Sequence, residues 1–312
     1  MKRYRGFVLM IFAFVMIQAS FNNEGPIDKA ALGKMLFSDP ILSKDQTISC
    51  ASCHKPAFAF ADTSAVSIGV GKKKGKRNTP STMNLLTQKT FFWDGRAATL
   101  EEQALAPIKN PDEMNLSIEE ALQRLRTRRD YKIHFQNIYQ SEPNAENLAD
   151  ALATFERTLE TSDSPFDVWK FNDDSNAVSQ AVRRGFTTFN TKGKCVKCHF
   201  GSNFTTNEFR NIGLFDGKKL NDSGRIVVSH NTEDIGKFKT IGLRNVSITP
   251  PYMHNGMLKT LREVIDFYND PEKIVPHNVN RDTILAKPLG LTEEEKEDLE
   301  AFLISLTDKR FN

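Results

Sequence analysis

Beyond its N-terminus this chain has no long apolar run, no dominant charge and no cysteine outside two short motifs. Each shortage excludes something. A bilayer span needs about 20 consecutive apolar residues, so no stable membrane span is expected once the N-terminus is removed. Lys and Arg number 42 against 39 Asp and Glu, a net charge of +3, so there is no broad basic field to hold nucleic acid. Strand signals are sparse as well, with Arg225 to Ser229 the one short candidate. Helices and long loops are left to build the fold.

The N-terminus is the exception. Lys2, Arg3 and Arg5 precede an apolar stretch from Phe7 to Ile17, followed by Gln18-Ala19-Ser20. This pattern predicts a secretory signal over residues 1–20, cut near Ala19 or Ser20, and hence a periplasmic protein. No cysteine lies near the cut, which argues against a lipoprotein anchor. An uncleaved anchor is the alternative.

All four cysteines fall in Cys-X-X-Cys-His: Cys50-Ala51-Ser52-Cys53-His54 and Cys195-Val196-Lys197-Cys198-His199. Two thiols at this spacing can form thioethers to the vinyl groups of a haem, and the next histidine then falls under the iron. Zinc sites and redox dithiols also use Cys-X-X-Cys. A zinc site, however, would have to join ligand pairs across a long span and would leave two adjacent histidines unexplained. Two covalent c-type haems are the expectation, and export suits haem attached after secretion.

Helical spacing recurs along the chain. Ile27 to Phe37 carries Leu32, Met35 and Leu36 on one face; Glu146 to Glu160 carries Leu148, Leu152, Phe155 and Leu159. Ser117 with Glu120, Thr260 with Glu263 and Thr292 with Glu295 read as capping boxes. The last opens a terminal helix with Leu299, Phe302, Leu303 and Leu306 inward. The break at Thr161 to Pro165, with the polar stretch Asn172 to Asn176 behind it, divides the chain into domains 21–165 and 166–312. Each half reads as helix, haem motif, loops and helix, so the expected fold is mainly α: two cytochrome c-like haem domains related by a divergent duplication. Lys72, Lys73, Lys74, Lys76 and Arg77 form a local basic run, either a solvated loop or a landing site for an acidic electron donor.

The distal ligands stay open at this level. For the second haem the candidates are Met253, Met257, Tyr268, His230 and His254; for the first they are Met83, Met114 or none. An electron carrier fills both axial positions, whereas a catalyst leaves one open.

Several segments carry a family resemblance: Arg77-Asn78-Thr79-Pro80, Phe92 to Ala97, Gln103 to Met114, Phe155 to Leu159, Leu243 to Val246 and Thr249 to Gly256. In this order and spacing they cover essentially the whole mature chain. The sequence resembles the bacterial diheme cytochrome c peroxidases, in the broader family that includes the diheme enzyme maturing methylamine dehydrogenase. The resemblance implies that the His54 haem is the peroxidatic one and the His199 haem the electron-transfer one. It implies that Glu113 is the distal carboxylate, that Gln103 and Pro107 line the same pocket, and that Trp93 lies between the haems. It implies a calcium ion on Asn78 and the carbonyls of Thr249 and Pro251, oxygen donors suited to a hard cation. Arg244 is expected to pair with a haem propionate, and His254 to bond a propionate or backbone. His134 and His277 are expected at the surface or just behind the site, not as ligands. Family members often dimerise, though nothing in the sequence specifies an interface.

Two departures matter. Many diheme peroxidases carry a histidine in a Gly-His-Gly loop that ligates the peroxidatic iron; here the loop reads Ser67-Ile68-Gly69-Val70-Gly71, and Val70 cannot ligate. The first iron is therefore expected to be open even with both haems ferric, unless another side chain moves in. The family's axial methionine falls on Tyr268, as in the maturation enzyme, with Met257 or Met253 as alternatives. Three functions therefore compete. One is a peroxidase reducing hydrogen peroxide with electrons from a small cytochrome c or cupredoxin. Another is a maturation-type oxidase using peroxide-derived high-valent haem to oxidise aromatic residues of a partner protein. The third is a non-catalytic diheme electron carrier.

Overall fold

A computed structural model describes residues 27–311, so the expected signal peptide lies outside the described residues. Helix α1 (Lys29–Ser38) is capped by Asp28, whose carboxylate accepts the Ala31 N–H, and it buries Leu32, Leu36 and Phe37. A one-turn helix, α2 (Cys50–Cys53), carries the first motif. Then come α3 (Leu100–Lys109), α4 (Ile118–Thr127), α5 (Arg129–Tyr139) and α6 (Ala145–Arg157). α1 crosses α6 at Gly33, where a Cβ would stand 2.0 Å from the Ala151 carbonyl oxygen. Only glycine permits that approach. One turn on, the rings of Phe37 and Phe155 meet at 5.2 Å.

The second half builds the same contact again. α7 (Pro165–Phe171) leads into α8 (Gln180–Asn190); β1 (Phe209–Arg210), α9 (Ile226–Ser229), β2 (Phe238–Lys239), α10 (Leu261–Asn269), α11 (Pro271–Ile274) and α12 (Glu293–Ile304) follow. α8 crosses α12 at Gly185, where a Cβ would stand 1.9 Å from the Asp298 carbonyl oxygen. Phe189 then meets Phe302 at 5.0 Å. β1 and β2 pair antiparallel, and they are the only strands among the described residues.

One hydrophobic cluster runs from Leu32 to Leu159 and another from Phe166 to Leu306. A buried polar seam joins them. Asn84 Nδ2 donates to the Thr161 carbonyl, Asn245 Nδ2 to Thr161 Oγ1, and the Asp308 N–H to Asn245 Oδ1 (2.9–3.0 Å). Asn84 and Asn245 both sit at positive φ, 57° and 62°, which asparagine tolerates.

Some local expectations change. Arg225 to Ser229 is not a strand: its last four residues form α9, behind Gly224 at positive φ. The Arg225 N–H bonds the Lys237 carbonyl, so loop context overrides the β-branched composition. Thr292 and Glu295 form a full capping box. Ser117 and Thr260 cap their helices, but Glu120 turns to Arg124 and Glu263 to the Lys259 N–H.

Arg244 and Asp167 form a bidentate pair at 2.8 and 2.9 Å, with side chains only 6% and 5% exposed. Burial pushes the Asp167 carboxyl up, but the bonds from Arg244 and Ser164 outweigh it and hold it low. Arg244→Met should strand a buried carboxylate and destabilise the protein by about 3–5 kcal/mol. The denaturant midpoint would fall with an unchanged slope, and adding Asp167→Leu should recover much of the loss.

Candidate functional site

A cavity of about 1060 Å³ lies between the two cores. Ordinary small-molecule sites occupy roughly 300–1,000 Å³, so this one is large. Cys50, Cys53 and His54 line it from the first half, and Cys195, Cys198 and His199 from the second. None of the four thiols is in a disulfide. Burial pushes the Cys50 thiol up and the Cys195 thiol to about 12.

The two histidines are held alike. His54 Nδ1 meets the Phe60 carbonyl at 3.0 Å, and His199 Nδ1 meets the Phe204 carbonyl at 2.9 Å. With Nδ1 engaged, Nε2 is the nitrogen left for iron, and the bond fixes tautomer and ring orientation. Burial lowers both imidazoles, favouring the neutral form that ligates. Paired thiols, a tethered imidazole and an apolar cavity, built twice, fit two covalently held haems.

α3 and the turn after it deliver Glu113. Pro107 lies within α3, and its carbonyl accepts the N–H groups of Asn110 and Met114, both at 3.2 Å. That closes the turn presenting Glu113 to the cavity, which Gln103 and Pro107 also line. Asn110 Nδ2 donates to Glu113 Oε1 at 2.8 Å. Burial pushes the Glu113 carboxyl up, against the Asn110 bond and the Arg96 charge. The Ser67–Gly71 loop is pinned behind it. The Val70 N–H donates to the Glu113 carbonyl at 2.8 Å, and a Cβ on Gly69 would stand 2.3 Å from the Asp112 carbonyl oxygen. Gly69 lines the cavity, whereas the buried Val70 does not.

Trp93 is buried at the junction. Its Nε1 donates to the Asn78 carbonyl and its own carbonyl accepts the Lys239 N–H, both at 2.8 Å, tying it to both halves. His254 stacks on Phe238 at 3.6 Å and stands edge-on to Trp93, while burial lowers its imidazole to about 4. Asn78, Thr249 and Pro251 all line the cavity. Among the described residues, Asn78 Oδ1 and the carbonyls of Thr249 and Pro251 accept no hydrogen bond. Three free oxygen donors are what a hard cation takes.

Of the candidate distal ligands, Met83, Met114, Met253, His254 and Tyr268 line the cavity; Met257 and His230 do not. Met257 packs with Leu214, Leu258 and Phe267, and His230 is exposed. Tyr268 stands out chemically. The hydroxyls of Tyr131, Tyr139 and Tyr252 all donate hydrogen bonds, whereas that of Tyr268 makes none among the described residues. Burial, reinforced by the neighbouring Cys198 and Cys195, pushes the Tyr268 phenol up, so it would lose its proton only to a strong local cation. Arg244 also lines the cavity, but Asp167 occupies its guanidinium, and a propionate would have to share it. His277 is exposed and His134 half-buried.

Sequence reasoning missed two groups in the cavity wall. Glu156 is 4% exposed, with Oε2 lacking any partner, and burial raises its carboxyl to about 8. It follows Phe155 on α6 as Leu303 follows Phe302 on α12, so an acid stands where the second half has leucine. Its i+4 spacing from Leu152, on the apolar face, was the available signal. Lys239 is the other; a two-residue strand gave no periodicity to mark it.

Residues 27–176 match the family model described as "Di-haem cytochrome c peroxidase". The methylamine utilization protein MauG of Methylorubrum extorquens is 39% identical over 281 residues, 89% of this chain and 78% of that protein. The cytochrome c peroxidase Ccp of Escherichia coli is 37% identical over 284 residues, 89% of this chain and 58% of that one. A solved MauG-like protein associated with microbial copper homeostasis superposes with a TM-score of 0.82 at 30% identity, covering 91% of this chain and 92% of that one. With its paired Cys-X-X-Cys-His motifs, mostly helical fold and shared cavity, the chain belongs to the di-haem cytochrome c peroxidase family of oxidoreductases, whose members carry two c-type haems.

Proposed function

We propose that the protein is an exported, periplasmic peroxidase of two haem domains, residues 21–165 and 166–312. It reduces hydrogen peroxide to water with electrons from a small cytochrome c or cupredoxin. The observation carrying this reading is Glu113, a half-buried carboxyl on the cavity wall, bonded to Asn110 and raised by its burial toward the neutral form. A pure electron carrier has no use for such an acid. When bound, the His54 haem iron supplies the site for peroxide and the His199 haem the entry for electrons.

The chain's residues handle the protons. Overall, H₂O₂ with two electrons and two protons gives two waters. Glu113 takes the proton from the near oxygen of peroxide and returns it to the departing one. Asn110 steadies the carboxyl, and Gln103 and Pro107 shape the pocket around it. In this reading Trp93 relays electrons between the haems; its hydrogen bonds to both halves support that role.

Val70 and Tyr268 favour a second reading, a maturation-type oxidase acting on aromatic residues of a partner protein. Peroxide turnover with reduced cytochrome c or cupredoxin separates the two. Sustained consumption of donor supports the peroxidase; consumption only with a protein substrate supports the oxidase.

Calcium on Asn78, Thr249 and Pro251 belongs to the same reading. The Asn78 peptide also holds the Trp93 indole, so the ion would brace the inter-haem path. Chelation should slow electron transfer between the haems after peroxide is added, and added calcium should restore it. Asn78→Leu should be slow and respond to neither.

A further inference from the structure

Lys239 is a buried cation without an anion. It is 6% exposed, and its ammonium donates to Gln88 Oε1 and to the Thr90 carbonyl, both neutral. No carboxylate of the described residues lies within 4.0 Å of it. An ammonium out of water without a counter-charge is strongly disfavoured. Burial draws this one down to about 8, with no neighbouring charge contributing.

The other cations on the cavity wall are accounted for. Arg77 holds Asp94 and Asp222, Arg96 shares Asp94, Arg210 holds Glu208 and Asp282, and Arg244 holds Asp167. Lys76 and Lys194 are exposed to water. Among the described residues, Lys239 is the buried lysine or arginine on this wall that lacks a carboxylate.

Its position is as telling as its charge. Lys239 belongs to β2 in the second half, yet its ammonium reaches across to residues 88–90 of the first. Its N–H bonds the Trp93 carbonyl, while Asn78 takes the Trp93 indole N–H. Asn78 precedes Asn84 by the same spacing as Lys239 precedes Asn245, so the two residues are counterparts in the two halves and flank the tryptophan. An ammonium has three donors, and two are in use.

Each haem carries two propionates, and these are the carboxylates the cavity would receive. We propose that Lys239 binds a haem propionate, supplying its counter-charge and fixing it beside the Trp93 peptide at the junction of the halves. This rests on the two-haem reading. A cation so placed favours the reduced form of the haem it touches.

A crystal structure of the two-haem protein tests this directly. A propionate oxygen about 2.7–3.2 Å from Nζ is expected. A structure holding both haems, in which Nζ meets only Gln88, Thr90 and water, overturns the proposal. A preparation without haem overturns the cofactor reading instead. Spectroelectrochemistry gives a second readout. Lys239→Met should lower the midpoint potential of one haem, and Lys239→Arg should keep it near that of the wild type. Equal potentials in all three proteins, with two haems per chain by haemochrome assay, would also overturn it. Should Lys239→Met mature without its haems, Lys239→Arg and the crystal structure decide.

Discussion

Glu113→Gln should reduce the rate of peroxide reduction by about 10²–10⁴-fold while leaving both haem spectra in place. Glutamine keeps the volume, and its carbonyl can still accept from Asn110 Nδ2, as Glu113 Oε1 does at 2.8 Å. What it loses is the ability to take up and return a proton. The pH profile gives a sharper signature. Burial raises the Glu113 carboxyl above the ordinary glutamate range, so the base form is lost as pH falls through that raised value. Wild-type kcat/KM for peroxide should therefore climb as pH rises through it and level off above, whereas the variant should be flat across the same window. A variant within a few-fold of wild type, with the same pH profile, would remove Glu113 from the mechanism.

Tyr268→Met should raise the midpoint potential of the second haem by some tenths of a volt, within the roughly 0.8 V range that axial ligands span. A phenolate is a hard anion and favours ferric iron, while thioether sulfur favours the ferrous state. Tyr268 lines the cavity, its hydroxyl makes no hydrogen bond among the described residues, and burial, reinforced by Cys198 and Cys195, keeps the phenol protonated. Only a strong cation such as ferric iron would draw off that proton. Spectroelectrochemical titration of both proteins decides the matter: if Tyr268 merely packs within α10, the two second-haem midpoints will coincide.

The sequence displayed these features unevenly, for physical reasons. Cys-X-X-Cys-His is legible because its chemistry is local: one turn holds both thiols and the histidine. The long helices were legible through their apolar faces, and α1 and α6 begin and end within a few residues of the expected positions. Glu113 had no such mark, since an isolated glutamate in Pro-Asp-Glu-Met reads as a solvated loop residue without the family resemblance. Arg225 to Ser229 misled because its β-branched side chains favour a strand, and it is the surrounding loop, with Gly224 at positive φ before it, that imposes a single helical turn. The Asp167 partner of Arg244 is remote in sequence and invisible to any local pattern, whereas a role toward a propionate could be expected from the arginine itself. Lys239 and Glu156 stand out only by what does not surround them, and that requires three dimensions.

Peroxide access to the first iron is the point on which the account turns. Val70, which stands where the resemblance expects the loop histidine, stays off the cavity wall, pinned by its N–H to the Glu113 carbonyl. Stopped-flow mixing of the fully ferric, calcium-loaded protein with hydrogen peroxide tests this most directly. A fast change in the Soret band, without prior reduction of either haem, is the predicted result. A ferric protein that stays inert, and that reacts only once half-reduced, would contradict the open site; inertness in both states would contradict the enzyme reading itself.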